Sequence, residues 1–281
     1  MQGILPQAGS ALAFQLLASV LYAVLAVHLW RRHWAAGTAP AAGQGSHLLQ
    51  LAALAVHAIA VFGPMFAGHT LRIGVGDAIS AILWLTVLIY GLGSLFYRLE
   101  ALQALIMPVA AVSAMLPALL PAEKVIPNTE LLAFRLHLVL SMLAYSLFTM
   151  AMLHAVLMAF VEGRLHRVHR GDAGFFARLP PLLTLERLLF HTIAAAFAML
   201  TLTLATGAAF SEAIFGRALR FDHKTLFAIL SWTTFAVLLA GRHLRGWRGR
   251  TALRMTMAGF LLLLLAYIGS RFVAEVLLGR G

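Results

Sequence analysis

Eight long apolar runs constrain this chain more than any other feature of its sequence. A helix needs about 20 apolar residues to cross the hydrocarbon core of a bilayer, and within that core only helices and closed barrels satisfy the backbone. The runs are therefore interpreted as eight membrane-spanning helices. They cover approximately residues 10–30, 48–67, 78–97, 102–121, 131–160, 188–210, 224–241 and 252–278.

The predicted fold is an all-α polytopic membrane helix bundle, with residues 1–281 forming a single transmembrane domain. Composition agrees with this fold, because 62% of the residues are hydrophobic and only 11% are charged, whereas a soluble domain carries about 25% charged residues. The first run is too long for a cleavable signal and is interpreted as a retained span. Pro108 and Pro117 predict a kink in the fourth span.

The basic residues predict the orientation of the spans. Thirteen of the 21 Lys and Arg residues lie in the loops after the first, third, fifth and seventh spans. The positive-inside rule places these loops in the cytoplasm and both termini on the outer, periplasmic side of a bacterial inner membrane. An anionic bilayer face accounts for the net charge of +11, so the predicted partner is lipid, and no nucleic acid is expected.

Histidines interrupt the apolar runs at two or more depths. His57 lies near the middle of the second span, His137 near the outer end of the fifth, and His191 just inside the inner end of the sixth. An ionisable group in lipid normally faces the bundle interior and has a function, although interhelical hydrogen bonding is an equal alternative. No span carries a mid-span carboxylate, and the chain has no cysteine, so non-covalent haem is favoured over a proton relay or a thiolate metal site.

The stretch TGAAFSEAIFGRALRFDHKTLFAILSW, from Thr206 to Trp232, resembles the tryptophan-rich WWD signature of the cytochrome c assembly, or haem-handling, membrane proteins. Upstream, LHLVLSMLAYS is similar to the family segment that carries an outer haem-ligating histidine, which corresponds to His137. The resemblance covers roughly residues 131–280. It is closest to the smaller HemX-like or YpjD-like branch of eight-span inner-membrane proteins.

This resemblance implies a non-covalent b-type haem held between span histidines and an aromatic outer loop. His137 would be one axial ligand to the outer haem iron, with His223 or His69 as its partner, and His57 with His191 would form an inner pair. Phenylalanine replaces each of the three signature tryptophans, which keeps the apolar ring and loses the indole N–H. The remaining implied cofactor-binding residues are Phe210, Phe215, Phe221, Asp222, Lys224, Trp232 and Arg271.

The predicted function is haem handling or cytochrome c biogenesis, with no catalytic residue assigned. Attaching haem to the thiols of an apocytochrome c would require a separate assembly subunit, because the predicted outer loops are short. Two alternatives remain open at this point. One is a permease-like transporter component, and the other is a non-catalytic membrane regulator or scaffold linked to haem synthesis.

Overall fold

The computed structural model consists of helices and contains no β-strand within the residues that it describes, which are 8–35, 44–66, 71–96, 99–120, 131–165, 182–215 and 223–269. Nine α-helices lie in these ranges, and a single π-helical turn, Leu265–Gly269, follows the last of them. The helices are α1 (Ala8–Ala35), α2 (Gln44–Met65), α3 (Val75–Gly93), α4 (Glu100–Ser113), α5 (Leu116–Leu119), α6 (Leu132–Leu165), α7 (Leu182–Phe215), α8 (His223–Arg245) and α9 (Gly249–Leu264).

Eight segments of these helices are long and apolar enough to cross a membrane, with α4 and α5 together forming the fourth. The prediction of an all-α, eight-span membrane protein is therefore confirmed. Large apolar side chains remain exposed on the helices, among them Val20 at 57%, Leu132 at 71% and Leu183 at 72%. Such exposure is expected of helices that face lipid. The orientation of the termini and the single-domain organisation stay predictions.

The helices fall into two compact units, and the first contains α1 to α5. Within it, α1 packs against α2 and α4, while α3 packs against α2, α4 and α5. Large side chains that are fully buried form its core: Tyr22, Leu25, Tyr90, Leu102, Ile106 and Met107. An indole hydrogen bond adds to the α2–α3 contact, because Trp84 donates from Nε1 to the Leu54 carbonyl at 2.8 Å.

The fourth span is broken where the sequence predicts a kink. Helix α4 continues past Pro108 but ends at Ser113, and α5 begins at Leu116 with Pro117 in its first turn. Proline has no N–H for the helical ladder and is best accommodated in the first turn of a helix, although transmembrane helices tolerate it in their interior. The start of α3 packs tightly on this break, because a Cβ at Gly76 would lie 2.5 Å from the Leu116 carbonyl oxygen.

The second unit contains α6 to α9 and the π-helical turn. Within it, α6 packs against α7 and α9, and α8 packs against α7, α9 and the π-helical turn. The rings of Phe148 and Phe235 stack in its core with centroids 4.0 Å apart. Helices α8 and α9 approach closely at Gly259, whose carbonyl accepts a 2.8 Å hydrogen bond from Ser231.

Candidate functional site

His137 lies in the second turn of α6 and is half-buried. Its Nδ1 atom is 3.1 Å from the hydroxyl oxygen of Thr206 on α7. The next residue on α7 is Gly207, where an added Cβ would lie only 3.2 Å from Cε1 of His137. Ordinary carbon–carbon contacts are about 3.5–4.0 Å. The missing side chain of Gly207 therefore leaves room for the imidazole to lie directly against α7.

This contact joins the two segments that carry the resemblance described above. His137 and Thr206 are 69 residues apart in sequence, and Thr206 is the first residue of the signature-like stretch. The sequence places both residues toward the same end of their spans but assigns no role to the threonine. The sequence feature that could have identified Thr206 is its hydroxyl group, which lies in an apolar turn directly before Gly207.

The aromatic part of the signature lies largely beyond the residues whose side chains the structure describes. Phe210 and Phe215 belong to the last turns of α7, but only their backbone is described. His223 and Lys224 begin α8 with exposed side chains. Four predicted cofactor-binding residues lie outside the described residues: His69, Phe221, Asp222 and Arg271. Their assignment stays a prediction.

Trp232, at the end of the signature-like stretch, is anchored to α7. Its ring stacks on Phe197 with centroids 5.4 Å apart and planes 29° apart. Its indole Nε1 donates to the hydroxyl oxygen of Thr201 at 2.9 Å. The side chain is half-buried, so one part of its aromatic surface is in contact with the protein and the rest is accessible.

His57 belongs to α2 and is buried completely inside the first unit, where its side chain lies between α1 and α3. Its Nδ1 is 3.3 Å from the Tyr22 hydroxyl, and its Nε2 is 2.9 Å from the Ser80 hydroxyl. A neutral imidazole has one donor and one acceptor nitrogen, and each hydroxyl group can serve in either role. Both ring nitrogens are therefore hydrogen-bonded, and an iron–nitrogen bond would have to replace one of these contacts.

Two further span histidines, His154 and His191, lie in the second unit. His191 is on α7 with an exposed side chain, so the predicted inner pair draws on residues of both units, and it stays a prediction. His154 on α6 is only 1% exposed. The sequence assigns it no role, because an apolar run without a polar face gives no indication of which side chains point into the bundle.

The donor set around His137 fits haem better than a multiply coordinated metal ion. Within the part of the chain that the structure describes, no group of three or more His, Asp or Glu side chains could hold a metal ion. Haem iron needs only one or two axial ligands from the protein, and imidazole is a common one. Exposed apolar side chains flank His137 on α6, at Leu136 and Val139, and such a surface can contact either lipid or a porphyrin.

Comparison with known proteins shows which family the chain is similar to. The family model for the cytochrome c assembly proteins matches residues 45–278, most of the chain. The inner membrane protein YpjD of Escherichia coli K12 is 30% identical over 168 residues, which is 60% of this chain and 62% of that protein, so the matched region spans less than two thirds of that relative. A 28.8 kDa protein of Azospirillum brasilense is 34% identical over 209 residues, covering 72% of this chain and 76% of the relative.

A shorter region of the chain is similar to a protein whose name states a role in cytochrome c biogenesis. The cytochrome c biogenesis protein CcsA of Prochlorococcus marinus is 36% identical over 89 residues, which cover 32% of this chain and 28% of CcsA. No solved structure matches the chain. Membership of this family supports a role in haem handling or cytochrome c biogenesis. The eight spans and the match over residues 45–278 establish that the chain is a multi-pass membrane protein belonging to the cytochrome c assembly family.

Proposed function

We propose that this chain binds non-covalent b-type haem in the bacterial inner membrane, with His137 as an axial ligand, and acts in haem handling or cytochrome c biogenesis. The observation that carries the proposal is how the His137 side chain is positioned by its contacts with α7. The imidazole is held by Thr206 through Nδ1 at 3.1 Å, and Gly207 lies directly beside the ring. A metal-ligating histidine commonly uses its second ring nitrogen in this way.

The rest of the proposed site follows the signature-like stretch. Phe210, Phe215, Phe221 and Trp232 supply aromatic surface for the porphyrin faces. Asp222, Lys224 and Arg271 are proposed to interact with the haem edge, where cations pair with the propionates. His223 is the proposed second axial ligand. Trp232 is half-buried against Phe197, which gives this surface a rigid edge.

The residues of the chain have three tasks in this proposal. His137 binds iron, Thr206 and Gly207 orient the imidazole, and the apolar side chains exclude water from the metal. Bound haem supplies an iron centre that takes axial nitrogen ligands and changes oxidation state. Because the chain contains no cysteine, it offers no thiol of its own for thioether attachment, and the proposed binding is non-covalent.

The setting of this activity is inferred from the relatives. YpjD is named an inner membrane protein, and CcsA is named a cytochrome c biogenesis protein. We extend both statements to this chain: it lies in the inner membrane, and its partners are an apocytochrome c or another assembly subunit. An inner haem between His57 and His191 is a separate part of the proposal.

Haem titration of the purified protein tests the outer site. Wild-type protein in detergent is titrated with haemin beside His137→Ala and a matched control, His243→Ala, whose histidine is exposed in the last turn of α8. The expected result is a Kd raised about tenfold or more by His137→Ala, equivalent to about 1.4 kcal/mol, with His243→Ala close to the wild type. Equal binding by wild type and His137→Ala would refute the ligand assignment.

A further inference from the structure

The hydrogen bonds of Thr206 determine how it meets His137. Its hydroxyl oxygen is 2.8 Å from the Leu202 carbonyl oxygen and 3.1 Å from the Thr203 carbonyl oxygen, both on its own helix. A hydroxyl group has a single proton and two acceptor lone pairs. A carbonyl oxygen can only accept, so the proton of Thr206 is donated back to α7, as threonine commonly does in helices.

The hydroxyl oxygen of Thr206 is then left to act as an acceptor toward His137. The imidazole atom that faces it, at 3.1 Å, is Nδ1, so Nδ1 carries a proton, and the backbone carbonyl of Thr203 is a second acceptor for the ring N–H. A neutral imidazole has only one N–H. The Nδ1–H tautomer of His137 follows, and in this tautomer the lone pair belongs to Nε2.

The position of the ring is restrained as well as its proton. An added Cβ at Gly207 would lie 3.2 Å from Cε1 and 3.7 Å from Nδ1 of His137. The Cε1–Nδ1 edge of the ring thus lies against the backbone of α7. The Nε2 atom is on the other side of Cε1, one bond further from that contact.

We infer that Thr206 is a positioning residue, which fixes the Nδ1–H tautomer of His137 so that Nε2 presents a lone pair for an iron ligand. The ligand half of this statement rests on the proposed function. The tautomer half rests on the hydrogen bonds alone. Partners of this kind fix the tautomer and ring orientation of metal-ligating histidines, and their removal typically costs 10–100-fold in metal affinity.

The first test needs no haem. The haem-free protein is labelled with [15N]histidine, and the His137 resonances are assigned by their loss in His137→Ala. Couplings between ring nitrogens and ring protons report which nitrogen carries the proton. The expected result is the Nδ1–H tautomer in the wild type and in Thr206→Ser, and a mixture of tautomers in Thr206→Val. An Nε2–H tautomer in the wild type would overturn the inference, whether or not the valine variant folds.

The second test measures haem affinity in the same three proteins. Thr206→Val removes the acceptor while keeping a similar shape, and it is expected to weaken haem binding by about 10–100-fold, whereas Thr206→Ser is expected to bind close to the wild type. Equal affinity of the valine variant would overturn the positioning role. If His137→Ala binds haem normally while the wild type still shows the Nδ1–H tautomer, the proposed function fails and the tautomer assignment stands.

Discussion

The Nε2 atom of His57 lies 2.9 Å from the hydroxyl oxygen of Ser80, and neither residue is exposed. The other ring nitrogen, Nδ1, is hydrogen-bonded to the Tyr22 hydroxyl at 3.3 Å. Three helices, α1, α2 and α3, are thereby joined through one imidazole. His137, by contrast, is half-buried, and its Nδ1 lies 3.1 Å from the Thr206 hydroxyl. The His57 side chain is fully buried and the His137 side chain is only half-buried, so His137 is the more accessible of the two.

Removal of the Ser80 hydroxyl should destabilise the first unit. Interhelical hydrogen bonds in membrane proteins contribute about 0.5–2 kcal/mol each, so Ser80→Ala is expected to lower the free energy of unfolding by about 1 kcal/mol. Titration of the detergent-solubilised protein with a denaturing detergent measures this. Ser141→Ala is the matched control, because that hydroxyl bonds only to the Leu138 carbonyl of its own helix. Equal effects of the two variants would contradict the bonding role of Ser80.

A side chain at Gly259 should separate α8 from α9. An added Cβ would lie 2.8 Å from two carbon atoms of the Phe235 ring, and Phe235 is fully buried and stacked on Phe148. Gly259→Ala is therefore expected to cost about 1–3 kcal/mol of stability through overpacking. The thermal midpoint measures the loss.

Gly163→Ala serves as the control for this substitution. Gly163 lies near the end of α6, and an added Cβ there would meet nothing within 4 Å. Alanine favours a helix over glycine by about 0.5–1 kcal/mol, so this variant should be slightly stabilised. A stability loss of the same size in both variants would show that the contact with Phe235 is not responsible.

Glu186 should stabilise the turn between α8 and α9. Its carboxylate accepts a 2.5 Å hydrogen bond from Arg242, and the side chains are 12% and 27% exposed. Arg242 also donates to the Trp247 carbonyl at 3.3 Å and lies over the Phe190 ring at 4.5 Å. Glu186→Gln leaves this arginine charge without its anion, and a loss of about 1–2 kcal/mol is expected, between the values for surface and buried pairs.

The corresponding control is the pair of Glu162 and Arg250, which links α6 to α9 at 2.9 Å but leaves Arg250 64% exposed. Exposed ion pairs contribute about 0–1 kcal/mol. Thermal unfolding of Glu162→Gln should therefore stay close to the wild type at moderate ionic strength. A larger loss from Glu162→Gln than from Glu186→Gln would reverse the expected order and contradict the account of the turn.

The number of spans could be predicted because it depends on the length of each apolar run in the sequence. The ends of the helices could not be predicted in this way. The sixth span was expected from residue 188, whereas α7 begins at Leu182. The additional turn includes Glu186 and Arg187, and Glu186 pairs with Arg242. Similarly, α3 begins at Val75, because Asp77 accepts a 2.9 Å hydrogen bond from the Gly74 N–H at its start.

The hydrogen-bond partners of the span histidines could not be predicted from the sequence. The spans are apolar on all sides, so periodicity does not indicate which way His57, His137 or His154 points. Tyr22, Ser80 and Thr206 lie 35, 23 and 69 residues from the histidines that they contact. Such contacts depend on how helices pack, so the sequence could single out His57 and His137 as candidate ligands but could not indicate their hydrogen-bond partners.

The absorption spectrum of the protein purified from haem-replete cells tests the central claim most directly. Wild-type protein is predicted to show a Soret band, and the pigment should extract into acidified acetone because no cysteine is available to hold it covalently. Folded His137→Ala, purified in parallel, should lose most of the band. A colourless wild-type protein that also takes up no added haem, or a Soret band unchanged by His137→Ala, would contradict the account.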